Sequence, residues 1–60
     1  MTMAQYDALQ EVFNYGEKGM EFLNIRPQTL AAIIRRNWIE KEADGSIWVS
    51  EKGMEALASL

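Results

Sequence analysis

The chain has 60 residues, a net charge of −3, and neither cysteine nor histidine. Those absences exclude a disulfide framework, the usual zinc sites, and thiolate or histidine-based nucleophilic catalysis. An apolar share of 48% fits one small globular domain and is too high for a disordered chain. No apolar run nears the roughly 18 residues needed to span a bilayer. The N-terminal residues show no basic stretch followed by an apolar one, so no signal peptide is expected. The expectation is a soluble, cytoplasmic protein without a membrane role.

The charge is segregated along the chain. Residues 1–25 carry a net −3, residues 26–36 a net +3 from Arg26, Arg35 and Arg36, and residues 37–60 again a net −3. An acidic whole argues against strong non-specific binding to nucleic acid. Any affinity for anions belongs to the central segment.

The first element reads as a helix. Thr2 is its expected N-cap and Gln5, three residues on, completes a capping box. Tyr6, Leu9, Val12 and Phe13 recur at helical spacing. Gly16 is expected to end the helix by taking a left-handed conformation. Residues 17–25 fit a short helix or a short strand: Met20 and Phe22 alternate, whereas Leu23, Asn24 and Ile25 favour a short helix ended by Asn24. The helix is the preferred reading.

Pro27 suits a first helical position, where its missing N–H costs nothing. A second helix is expected over 27–36, with Leu30, Ile33 and Ile34 on its inner face. Gln28, Ala32 and Arg35 fall opposite, flanked by Ala31 and Arg36, and Asn37 takes the place after the helix that glycine usually holds. A hairpin follows, Trp38 to Glu42 and Ser46 to Ser50, around Ala43-Asp44-Gly45. Alternation puts Ile47 and Val49 on one face and Trp48 on the other. Ser50 is expected to cap a last helix, with Glu51 at its positive end and Met54 and Leu57 inside. The expected core is Tyr6, Leu9, Val12, Phe13, Phe22, Leu23, Ile25, Leu30, Ile33, Ile34, Trp38, Ile39, Ile47, Val49, Met54 and Leu57.

The fold class expected from this order is α+β and mainly α: helix, short helix or strand, helix, two-stranded hairpin, helix. Two stretches carry a family resemblance. Met20 to Leu30, MEFLNIRPQTL, is similar to a helix-turn-helix pattern, with Asn24, Ile25, Thr29 and Leu30 at its turn and helix-entry positions. Arg35 to Leu57, RRNWIEKEADGSIWVSEKGMEAL, resembles the recognition-helix end, wing and following helix of a winged helix-turn-helix domain. The family is that of multiple-antibiotic-resistance-type and related bacterial and phage transcriptional regulators. Met20 stands where the family prefers alanine, Asn37 and Trp38 replace a glycine and a leucine, and the 27–36 helix is about a turn shorter than usual.

The resemblance implies a small DNA-binding regulator whose helix at 27–36 enters the major groove of duplex DNA. Gln28 would contact adenine and Arg35 guanine. Ala31 and Ala32 would let the helix sit close to the bases, while Arg26, Arg36 and Lys41 would meet phosphates. The same arginines also fit a solvated helix end, where cations are favoured. A wing in which Glu40, Glu42 and Asp44 outnumber Lys41 would repel phosphate. It supports a second reading, a protein-interaction module that uses the acidic wing and an exposed Trp48 to bind a partner or a second copy. Stacking of Trp48 on Trp38 is the plainer role for that ring. No phosphate-cradling loop and no calcium-binding pattern is present. An enzyme, a cofactor, a metal site and a small-molecule substrate are therefore not expected.

Overall fold

In a computed structural model, which describes residues 1–59, the chain runs helix, connection, helix, hairpin, helix. Helix α1 spans Met3–Tyr15, α2 Pro27–Arg35 and α3 Glu51–Ala58; strands β1, Ile39–Lys41, and β2, Ile47–Val49, form one antiparallel hairpin. The architecture is α+β and mainly helical, as expected.

Helix α1 begins at the capping box. The Gln5 amide donates to Thr2 Oγ1 at 3.1 Å, and the Thr2 amide donates to Gln5 Oε1 at 3.0 Å. Its buried residues are Ala8, Leu9 and Val12. Phe13, expected in the core, is 60% exposed. It lies about 100° around the helix from Val12, on the flank that α2 and the hairpin leave open.

The end of α1 differs from expectation. Gly16 is right-handed (φ −60°, ψ −26°) and buried. Glycine is needed there because a Cβ would collide with the carbonyl oxygen of Ile47. The glycine thus admits a strand backbone instead of turning the chain.

Residues 17–25 contain no strand, and the short helix preferred for them is present only as 3₁₀ turns that stop before Asn24. Single 3₁₀ turns occupy Gly16–Lys18 and Met20–Phe22, joined at Gly19 (φ 98°), and Leu23 is already extended. Asn24 is not left-handed. Phe22 points to solvent rather than into the core, because one 3₁₀ turn has no neighbour to cover it on that side. Ile25 turns inward against the main cluster.

That cluster is Ala8, Leu9 and Ile33, with Ile25, Leu30, Trp38, Ile39, Val49 and Leu57 packed around it. Val12 and Ile47 are also fully buried. Each such aliphatic side chain contributes about 1.5–3 kcal/mol relative to exposure. Ile34 and Met54, expected inside, are about half exposed. A chain of this size has more apolar side chains than it can cover.

The exit from α2 joins three elements. Asn37 is left-handed (φ 60°). Its amide donates to the Ile34 carbonyl at 3.0 Å, and the Trp38 amide reaches back to Ile33 at 3.1 Å, which is a Schellman ending. Ser50 caps α3 through Gly53 N–H at 3.0 Å, and its hydroxyl also donates to the Asn37 carbonyl at 2.5 Å. Gly53 lies against the same spot: a Cβ there would strike the Trp38 carbonyl oxygen. The orientation of α2 is thereby tied to both the hairpin and α3.

Candidate nucleic-acid interface

Pro27 at the first helical position starts α2 after an extended Arg26 (φ −64°, ψ 140°). At 3.6 residues per turn, fully buried Ile33 sets the inner side, with Leu30 and Thr29 half-buried beside it. The outer side carries Ile34, Pro27, Ala31, Arg35 and Gln28, all exposed. Gln28 and Arg35 project outward on α2 as expected, Ala31 lies within the outer strip rather than on its flank, and Arg36 is exposed at the helix end. Ala32 is half-buried on the shoulder of the helix and does not belong to the outer strip.

The remaining cations sit in mixed surroundings. The Arg36 guanidinium lies 5.1 Å from the centre of the Trp38 ring. A cation over an indole face at this distance is attracted by the ring quadrupole. Arg26 lines a shallow groove between α1 and the start of α2 that also includes Asp7 and Glu11. Lys41 is exposed near the tip of the hairpin, paired across it with buried Ile47. It lines a groove with Glu17, Glu21 and Asp44. The positive strip is thus concentrated at the C-terminal half of α2, and carboxylates border it at Arg26 and Lys41.

The hairpin tip is built around Asp44. Its carboxylate accepts from the Ser46 amide at 2.9 Å and the Ser46 hydroxyl at 2.6 Å. These donors hold the Asp44 carboxyl below its ordinary value of 3.8. Ser46 Oγ in turn accepts from the Trp48 indole N–H at 3.0 Å. The chain Asp44–Ser46–Trp48 fixes an indole that is 47% exposed. Glu40 stands directly opposite Trp48, while Glu42 follows β1 into the turn. The Trp38 ring carries Arg36. Sequence reasoning missed the roles of Ser46 and Arg36; Asp-Gly-Ser at a hairpin tip was the available signal for the first.

Among the described residues, no group of three or more acidic side chains is arranged to hold a metal ion, and no helix is long and apolar enough to cross a membrane. The chain matches no protein-family model, no curated protein and no solved structure.

Proposed function

We propose that this protein binds duplex DNA as a small bacterial or phage transcriptional regulator with a winged helix-turn-helix architecture, reading the major groove with α2. The observation that carries this reading is the outer side of α2. Gln28, Ala31 and Arg35 are exposed together on a helix whose inner side is closed by Ile33. No acidic residue lies between Glu21 and Glu40, so α2 itself offers nothing to repel phosphate. Gln28 and Arg35 supply the geometry for bidentate contacts to adenine and guanine. Arg36 and Arg26 supply phosphate contacts that set position. Two or three such contacts give modest affinity, with log K falling against log salt at a slope of about −2 to −3.

A fluorescence-anisotropy titration with mixed-sequence duplex at low salt tests this. Arg35→Ala is expected to weaken binding about tenfold or more. No binding at tens of micromolar (an order-of-magnitude limit), or no change in Arg35→Ala, overturns the reading.

A second reading rests on a separate observation, the half-exposed Trp48 held by Ser46 beside Glu40. An ordered aromatic in an acidic surround suits an interface with a basic protein or a second copy. Sedimentation of the protein and of Trp48→Ala, alone and with its binding partners, distinguishes this from the DNA reading. A monomer whose Trp48→Ala form keeps every partner removes it.

A further inference from the structure

The outer side of α2 is not uniformly polar. Ile34 is 50% exposed and lies about 100° around the helix from buried Ile33. Pro27 and Ala31 are exposed between it and Arg35, so an apolar band runs along the helix beside the Gln28–Arg35 band. Single exposed apolar residues need no explanation. A contiguous band on the one helix of a segment with net charge +3 and no acid does invite one.

The charge selects the occupant. A helix bearing Arg35 and Arg36 and no carboxylate of its own complements a polyanion. The major groove of duplex DNA offers polar edges at every base pair and one apolar group, the C5 methyl of thymine. We propose that Ile34 and Ala31 read thymine methyl groups, so that the protein prefers sites carrying thymine next to the bases met by Gln28 and Arg35. This rests on the DNA-binding reading and adds its specificity.

The fixed end of α2 makes such readout feasible. Ile34 accepts the amide of Asn37 in the Schellman ending, and Ser50 ties that ending to α3. The Ile34 side chain is therefore presented from a held backbone. A β-branched side chain also has few rotamers to lose on contact.

The test begins by enriching a random duplex pool on the protein, then resynthesising the enriched duplex with deoxyuridine for each thymidine in turn. Uracil keeps every hydrogen-bonding group of thymine and lacks only the methyl. Loss of a buried methyl is expected to weaken binding about fourfold at each contacted position. Ile34→Ser should lose the sensitivity to uracil at the thymine that Ile34 contacts, while a thymine met by Ala31 stays sensitive. If uracil substitution leaves wild-type affinity unchanged, or if binding occurs without enrichment of any sequence, the methyl readout is overturned and DNA binding stands. If uracil weakens Ile34→Ser as much as the wild type at every thymine, Ile34 is not the reader. A wild-type dimer in sedimentation that Ile34→Ser converts to monomer assigns the band to a second copy instead. If no duplex binds at low salt, the DNA reading falls and this inference falls with it.

Discussion

The two ends of α2 are built differently. At its exit, a left-handed Asn37, the Ser50 hydroxyl and Gly53 bring helix, hairpin and α3 within hydrogen-bond distance of one another. At its entrance, Gly19, one 3₁₀ turn and an extended Leu23 lead to Arg26, whose side chain makes no capping bond. Ile25 provides the apolar anchor there. Helix α2 is therefore oriented from its C-terminal end. That is also where its exposed arginines lie, and so its outer side is placed by the better-secured half.

Gly53→Ala tests that contrast most severely. The new methyl meets the Trp38 carbonyl and the Val49 side chain, and backbone cannot yield cheaply. The expected cost is about 3 kcal/mol or more, a large part of the total stability of so short a chain. A urea-denaturation midpoint measures it. Gly19→Ala attacks the entrance instead. The backbone there (φ 98°, ψ 166°) is accessible almost only to glycine, whereas space around it is adequate. The expected cost is about 1–3 kcal/mol, below that of Gly53→Ala. The reverse ranking would show that the entrance governs the fold.

Ser50→Ala sharpens the view of the exit. It removes the α3 cap and leaves the Asn37 carbonyl without its donor, at an expected cost of about 1–2 kcal/mol. Amide exchange should accelerate at Gly53 and at the end of α2 together if the junction acts as one unit. Asp44 gives the smallest effect. Its carboxyl is held low by Ser46, so its contribution to stability is present above the ordinary value of 3.8 and is withdrawn as pH falls through the lower folded value. Asp44→Asn should therefore cost a little stability near neutral pH and nearly none at strongly acid pH. The fluorescence of Trp48, joined to Asp44 through Ser46, should change over the same acid range in the wild type and not in Asp44→Asn.

Two stretches of the chain, Arg35 to Leu57 and Met20 to Leu30, differ in the same way as the two ends of α2. Arg35 to Leu57 is written in local chemistry: an asparagine after a helix, Asp-Gly in a hairpin, a serine before a helix. Each acts over a few residues, and each is present as expected. Met20 to Leu30 depends on whether a short apolar run finds a surface to cover. Before α2 begins at Pro27, this stretch forms a single 3₁₀ turn, and Phe22 is left outside. For the candidate site, Gln28, Ala31 and Arg35 were legible because Pro27 sets the phase of the helix and Ile33 its inner side. The surroundings of Arg26 and Lys41 were not, since Asp7, Glu11, Glu17 and Glu21 come from α1 and the connection that follows it.

Local chemistry set the order of the three helices and the hairpin and the start of each helix, because caps, turns and periodicity act between near neighbours; it set neither the close of α1 nor the conformation of residues 17–25. The tertiary structure alone decided which of many apolar side chains are covered. It buries Leu9, Ile33 and Ile47 and leaves Phe13, Phe22, Ile34 and Met54 outside. It also gave Gly16 and Gly53 their purpose as crossing points and set Arg36 on Trp38. Those outcomes depend on which backbone passes close to which, and segments distant along the chain fix that only when they pack.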